Sequence, residues 1–409
     1  MINYKKALTG LKKNKIIVNS EEVTVENSIN RIVDKNIKSP SNHPSSNNTA
    51  LDGFAINNKD TFNIKKKLFK SFKIIKRIAA GDNPKINKLS KNTTVEVMTG
   101  ALIPKPYNTI IPFEEIKYSS DKKFILINKK IKKNKHIRIH GTDFKKGNII
   151  IKKGEIITPQ HILAFKTLGI KNIKVKKKIR ITIFSTGNEV TNNLKIPNWK
   201  VRNSNIYYLK ALTKNLPIII KEEKILRDDQ SKKFQNKIKK NILSQDNIIL
   251  TIGALSAGKF DFVPKIIKGL RPKYYFKGCY IRPGKPVMFA KLKNNNIFFG
   301  LPGNSISTAA TFRFFLLPFI FYSVGAKIAN PIKAKLSNNF IKDISFTRFV
   351  KGNLIYKKNG VIEFTINKGQ ESFKIKSFIE SNAWGLLPNG KSKFKKGDII
   401  DCHTLTGIN

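Results

Sequence analysis

From residue 176 to residue 326 the chain alternates short runs of branched apolar residues with longer stretches of mixed polarity. Ile179–Phe184 reads as a buried strand, the segment near Asn205–Asn215 as a helix and Pro217–Ile220 as a strand. Gln230–Leu243 then reads as a helix and Asn247–Thr251 as a strand. Buried strands separated by helix-length segments need crossover connections. The rhythm therefore predicts α/β architecture with a doubly wound, mostly parallel sheet over about 176–326. In such a sheet ligands sit beyond the carboxyl ends of the strands, so the loops there are the first place to look for chemistry.

The flanks read differently. Tyr4 to about Asn36 reads as helix and strand, followed by a polar stretch from Ser39 that is rich in turn formers. Short strands follow from Ala50 to about Lys135: Phe72–Ile78, Thr94–Met98, Thr109–Pro112 and Phe124–Ile127. This is a small β-rich insert. Asn148–Ile157 reads as a hairpin-like pair around Lys153-Gly154. Thr158-Pro159 then opens a helix that stops at Gly169. Beyond Ala329 the pattern is strand-like again, at Ile341–Phe349 and Val361–Ile366, which predicts a small C-terminal β domain.

Composition removes several function classes. The two cysteines, Cys279 and Cys402, are far apart, which excludes a disulfide framework and suits a reducing cytoplasm. No apolar signal region follows Met1. The most apolar stretch, Ile306–Val324, contains Arg313 and Pro318 and follows a Pro-Gly-Asn turn, so it reads as a core helix and no membrane is expected. The net charge of +53 invites a nucleic-acid reading. The lysines are dispersed, however, and rise together with Asn and Ile, as codons of an AT-rich genome would produce. No specific nucleic acid is expected. His136, His140, His161 and His403 show no zinc spacing.

Three loop regions of the α/β segment carry candidate ligand groups. Ser185, Thr186 and Gly187 follow a buried strand and could offer N–H groups to an anion, with Glu189 adding a carboxylate. Gly253, Ser256 and Gly258 can line a phosphate closely, and Asp261 could hold a metal ion. In the third region, Arg282, Pro283, Gly284 and Lys285 place fixed positive charge beside a turn. Pro302, Gly303, Asn304 and Ser305 then lead into a helix N-terminus, a natural anion seat. Each loop alone is as consistent with a structural turn; three in one sheet point to an anion site.

The order Leu51-Asp-Gly-Phe-Ala55, Met98-Thr-Gly-Ala101, Glu114-Glu115, Gly141-Thr-Asp143, Phe184-Ser-Thr-Gly-Asn-Glu189, Thr251-Ile-Gly-Ala-Leu-Ser256, Arg282-Pro-Gly-Lys-Pro286 and Gly300-Leu-Pro-Gly-Asn304 resembles the molybdopterin molybdenumtransferases over nearly the whole chain. The resemblance implies a discontinuous, elongated linking domain (1–45 and 136–175) and a β-rich insert (46–135). It further implies a molybdopterin-binding α/β domain (176–328) and a β-barrel-like C-terminal domain (329–409). It implies a cytoplasmic homodimer acting on adenylylated molybdopterin and molybdate with Mg2+ and releasing AMP. Contacts with the molybdopterin adenylyltransferase and with acceptor molybdoenzymes belong to the same expectation.

By motif matching, Asp52, Asp143, Glu189, Asp228 and Asp261 would be catalytic, with Glu189 and Asp261 at the metal. Thr99, Ser185, Thr186, Gly187, Gly253, Ser256, Gly258, Arg282, Pro283, Gly284, Lys285, Pro302, Gly303, Asn304 and Ser305 would contact substrate. Asp228 and Asp261 could equally cap helices. The chain departs from the family's pattern at Asn188 and Asn203, where acids are usual, at Ala254 in place of a second glycine, and at Ser305 in place of proline. Two alternatives remain: a molybdopterin adenylyltransferase-like enzyme, against which the Gly-Ala-Leu-Ser loop speaks, and a catalytically decayed scaffold.

Overall fold

The computed structural model describes residues 1–65, 68–86, 90–222, 225–227, 230–243, 248–255 and 262–407. They form two compact units, one of residues 1–35, 153–158 and 172–409, the other of residues 36–152 and 159–171.

In the first unit a six-stranded sheet runs in the order Ile218–Glu222, Ile179–Ser185, Ile248–Ile252, Ile297–Leu301, Met288–Lys291, Lys273–Lys277. The first four strands are parallel and the last two antiparallel. Ile248–Ile252 and Ile297–Leu301 are buried at every residue, as suits parallel strands covered on both faces, with Thr251 the one polar side chain between them. The helices Ser204–Thr213 and Ser231–Leu243 match the sequence reading within a residue or two. The antiparallel pair at the sheet edge was not read as strands.

The apolar helix Ser305–Val324 is 89% buried and is a core element, as expected. It widens to a π-turn over Phe312–Leu316, just ahead of Pro318, whose ring leaves no N–H to donate to the preceding turn. Phe314 stacks on Phe349 with ring centroids 4.0 Å apart, while Phe319 packs edge-on against Phe289 and Phe299 of the sheet. Tyr4, on the N-terminal helix Tyr4–Lys13, closes on Phe314, Phe315 and Phe349.

The C-terminal strands Thr347–Tyr356, Ile362–Ile366, Ile332–Leu336, Ile399–Thr404 and Ala383–Leu387 pair in that order. Ala383–Leu387 pairs back to Thr347–Tyr356, so the sheet closes into a small barrel around Val350, Leu354, Phe364, Leu387 and Ile400. The short strand Ile281–Arg282 docks in parallel on Thr347–Tyr356 from outside.

The second unit holds a mixed six-stranded sheet ordered Thr109–Pro112, Gly53–Ile56, Thr93–Val97, Lys70–Ile78, Phe124–Ile127, Lys117–Tyr118. Its core includes Phe54, Phe72, Ile111 and Ile125. Two sequence readings need correction. The stretch from Ser39 is not a bare loop: Asn48–Thr49 pairs with Ile137–Arg138, and Ser39 and Thr49 are buried. Asn148–Ile157 is not a hairpin: Ile149–Ile151 pairs with Ile37–Lys38, and residues 153–158 belong to the other unit. Gly154, at a positive φ of 83°, donates its N–H to Val33 there.

Candidate functional site

The strand-end loops of the parallel sheet converge as the topology demands. Ser185 ends its strand and its hydroxyl donates to Asn203 Oδ1 at 3.0 Å. Asn203 Nδ2 donates in turn to Asn192 Oδ1 at 3.1 Å. The amide at this position, where the family pattern has an acid, therefore uses both of its ends in a neutral bridge. The expectation that this loop presents its first N–H groups to an anion is corrected. Thr186 N donates to Ile252 O and Gly187 N to Leu226 O. These bonds extend sheet-like pairing past the strand end.

What the loops build is a close glycine contact. Gly253 has φ of +95°, and a Cβ there would lie 2.9 Å from the carbonyl and hydroxyl oxygens of Thr186. A Cβ on Gly303 would lie 3.3 Å from Gly253 Cα. Asn205 Nδ2 ties the third loop down by donating to Gly303 O at 2.7 Å, and Thr308 Oγ1 donates to Pro302 O at 2.6 Å. Asn304 starts the long helix without a side-chain cap, so the first-turn N–H groups are not taken up by it. Ala254 sits at φ of +49°, a left-handed conformation that costs an alanine and suits the glycine of the family pattern. The Glu189 carboxylate folds over Gly187, where a Cβ would come within 2.5 Å of it. Asp228, Ser256, Gly258 and Asp261 lie outside the described residues.

Arg282, Pro283, Gly284 and Lys285 pack on the first two turns of the long helix that the third loop opens. Gly284 rests against Ser307 and Thr311 of the long helix, where any Cβ would be 2.5 Å from Thr311 Cγ2. The segment opens into a cleft of about 740 Å³ shared with the C-terminal barrel and lined also by Lys342, Asp343, Phe346, Arg348, Gln370 and Glu371. Arg282 and Arg348 are register partners on adjacent parallel strands. Burial and the neighbouring Arg282 charge bring Arg348 down to about 10, which leaves it a cation at neutral pH. Arg348 Nη2 donates to Gln370 O at 3.0 Å. Lys285 Nζ lies 5.9 Å from the Phe346 ring centre. Lys342 Nζ donates to the carbonyls of Asp343 and Phe346 at 3.1 and 2.7 Å. Asp343 is held below the usual carboxylate range by the hydroxyl and N–H of Ser345. Arg282, Lys285, Lys342 and Arg348 face only Asp343 and Glu371, so the cleft is cationic. Like charges held side by side are costly without an anion between them, so the arrangement suits a small oxyanion. Lys342, Arg348 and Gln370 were not singled out from sequence, because one basic residue among 79 Lys and Arg carries no signal.

In the second unit Asp52 Oδ1 accepts from Thr99 N at 2.6 Å and from Thr99 Oγ1 at 2.7 Å. Those two bonds hold the exposed Asp52 carboxyl below its ordinary range. The Asp-Gly-Phe-Ala and Met-Thr-Gly-Ala motifs are thus one assembly, in which Gly53 is needed because a Cβ would run into Ile111 O. Asp143 is exposed, and its N–H donates to His43 O at 3.1 Å. Glu115 is bracketed by Lys129 and Lys135 at 2.8 and 2.9 Å, which pull its carboxyl down to about 2.

Three family models match in succession: the MoeA N-terminal region (domain I and II) over residues 2–169, a probable molybdopterin binding domain over 182–322, and the MoeA C-terminal region (domain IV) over 333–405. The molybdopterin molybdenumtransferase of Staphylococcus aureus (strain Mu50) is 30% identical over 385 residues, covering 93% of this chain and 90% of that protein. The chain belongs to the MoeA family. The Staphylococcus epidermidis molybdopterin molybdenumtransferase is 29% identical over 405 residues, 98% of this chain and 94% of its own length. A solved MoeA structure from Pyrococcus horikoshii OT3 shares the fold with a TM-score of 0.81 at 24% identity, over 98% of this chain and 99% of that one. A molybdenum cofactor biosynthesis protein from Pyrococcus furiosus aligns at a TM-score of 0.59 and 17% identity, with 98% of each chain covered. These matches place the chain in molybdenum cofactor biosynthesis and bear out the MoeA architecture read from the motifs. Within that frame, no cluster of three or more His, Cys, Asp or Glu side chains suited to a metal exists among the described residues.

Proposed function

We propose that the chain is a molybdopterin molybdenumtransferase, inserting molybdate into adenylylated molybdopterin with release of AMP. The observation that carries this reading is the cationic cleft of Arg282, Lys285, Lys342 and Arg348, whose charge suits a tetrahedral dianion such as molybdate. The glycine contact of Gly253 and Gly303 suits the flat, phosphorylated substrate, which needs backbone approach rather than side-chain charge. The names of the relatives support a molybdopterin molybdenumtransferase, and the cleft and the glycine contact are the two candidate places for its anionic reactants.

The remaining expectations join the proposal. The chain works as a cytoplasmic homodimer, and Asp52 and Asp143 act on substrate bound by the partner subunit. The molybdopterin adenylyltransferase delivers the substrate, and acceptor molybdoenzymes take the product. The domain division 1–45 with 136–175, 46–135, 176–328 and 329–409 is retained on the same footing. Magnesium is the family's expected cation and takes about six oxygens. The described strand-end loops offer it one carboxylate, Glu189, and the acids matched at Asp228 and Asp261 lie outside the described residues.

The test mixes the protein with adenylylated molybdopterin, molybdate and Mg2+, and follows AMP release together with activation of a molybdenum-free apoenzyme. Turnover by the wild type and loss of it in Asp52→Ala is the expected result. Substrate binding without AMP release would leave the scaffold reading. Pyrophosphate release from ATP and molybdopterin would instead favour the adenylyltransferase.

A further inference from the structure

Lys351 lies on the strand Thr347–Tyr356 and is 1% exposed. An ammonium in an apolar interior is costly unless every proton is hydrogen-bonded. Here all three are: Nζ donates to the carbonyls of Gly369 at 2.8 Å, Glu371 at 3.2 Å and Lys374 at 3.0 Å. Among the described residues no carboxylate forms a salt bridge with it. The Lys351 main chain grips the same loop, its N–H donating to Gln370 Oε1 at 2.9 Å and its carbonyl accepting from Gln370 Nε2 at 2.8 Å. Ser377 Oγ shares the Gly369 and Lys374 carbonyls at 2.6 and 3.1 Å. Arg348 takes the Gln370 carbonyl. The carbonyls of residues 369, 370, 371 and 374 are therefore all drawn to cations or a hydroxyl.

This loop is a wall of the cationic cleft, which Gln370, Glu371, Ser372 and Phe373 line. A carbonyl oxygen facing the cleft would repel an oxyanion. A buried lysine that turns those oxygens inward removes the repulsion and fixes the wall beside Arg282 and Arg348. A methionine would fill the same space without the burial cost, but it would leave the Glu371 carbonyl to find another partner and those of Gly369 and Lys374 to Ser377 Oγ alone.

We propose that Lys351 is a positioning residue for the oxyanion cleft, holding the carbonyls of Gly369, Glu371 and Lys374 inward so that molybdate meets a rigid wall beside Arg282 and Arg348. The proposal rests on the cleft reading given above and assigns to that cleft a residue that never touches the anion.

The experiment is titration of the full chain with molybdate, steady-state kinetics, and hydrogen exchange of residues 369–374, on wild type, Lys351→Met, Ser377→Ala and Arg282→Ala. Lys351→Met is expected to raise the molybdate Kd and KM about tenfold, by analogy with the rate lost when a site is misplaced by a fraction of an ångström. The KM for adenylylated molybdopterin and kcat at saturating molybdate should stay unchanged, and exchange in the loop should quicken. Ser377→Ala, which loosens the same carbonyls without removing a charge, should shift both readouts in the same direction by less. Arg282→Ala tests the cleft itself: if it binds molybdate as wild type does, the cleft reading falls first. If Arg282→Ala fails to bind while a folded Lys351→Met binds normally with unchanged loop exchange, the positioning role alone is overturned. Should Lys351→Met not fold, Ser377→Ala decides: normal molybdate binding and loop exchange in it overturn the proposal.

Discussion

The strand-end loops and the cationic cleft both lie in the first unit and both suit anions, yet they are built on opposite principles. At the strand ends the side-chain bridges between the loops are neutral, Ser185 with Asn203, Asn203 with Asn192, Asn205 with Gly303, and the one described carboxylate is Glu189. What the loops offer a ligand there is shape, set by Gly253 and Gly303, beside the uncapped first turn of the long helix. In the cleft, four cations outnumber two carboxylates and shape is loose, with Arg282, Lys342 and Arg348 converging from three segments. A large ligand with its own flat surface can be selected by close backbone approach. A small symmetrical oxyanion offers little shape and has to be selected by charge. The difference teaches that one unit separates its two recognition tasks by the kind of force each ligand can answer.

The sharpest way to break this comparison is Arg348→Ala. Truncating a half-buried cation at a charge-selected site should cost about 2–4 kcal/mol, or roughly a hundredfold in molybdate affinity, with the nucleotide substrate unaffected. Equal losses for both ligands, read by calorimetric titration, would mean that the two sites are not separate. The mirror experiment is Gly253→Ala. Its Cβ would sit 2.9 Å from two Thr186 oxygens at a φ of +95°, so about 1–3 kcal/mol of strain is expected. The adenylylated substrate should bind about tenfold more weakly, while molybdate binds as before. An intact nucleotide affinity would remove shape as the selecting force.

A smaller effect concerns pH. Burial pulls the Lys351 ammonium down to about 8 from its usual 10.5, opposed by the attraction of Glu371 and assisted by Arg348. Because the folded state releases this proton first, the group's contribution to stability rises with pH between about 8 and 10.5. The neutral amine keeps two donors for three carbonyls. Molybdate affinity should therefore fall severalfold as pH passes about 8, without a matching drop in the denaturant midpoint. A flat affinity profile from pH 7 to 9 would show that the cleft does not depend on that charge. Smallest of all, Ala254→Gly should relieve a left-handed alanine and raise stability by about 1 kcal/mol or less, read by thermal unfolding. A fall instead would mean that the Ala254 methyl, which packs on the cluster of Leu255 and Phe262, outweighs the strain.

The strand-end site was legible because its parts are local. A largely apolar run such as Ile248–Ile252 announces a buried strand, and the glycine after it announces the loop. The cleft was half legible. Arg282 and Lys285 stand out between prolines, whereas Lys342 and Arg348 are ordinary basic residues until the barrel carries them to the same place. That transport depends on Thr347–Tyr356 pairing with strands from three directions, which no period in the sequence encodes. The spent N–H groups of Thr186 and Gly187 were misread for a similar reason, since Leu226 and Ile252 reach them only through tertiary pairing.

The stack of Phe314 on Phe349 joins the long helix to the barrel, while Phe319 on the same helix grips the sheet. The helix is a shared keel, so the barrel cannot melt without exposing its own end of that keel. Calorimetry should record the sheet and the barrel as one cooperative transition, and a nick in the connection near residue 329 should leave the two pieces clasped. The C-terminal segment is thus a separate part in architecture but a partner in folding. A destabilising lesion in the barrel will reach the parallel sheet through loss of the folded state and not through any change in its loops.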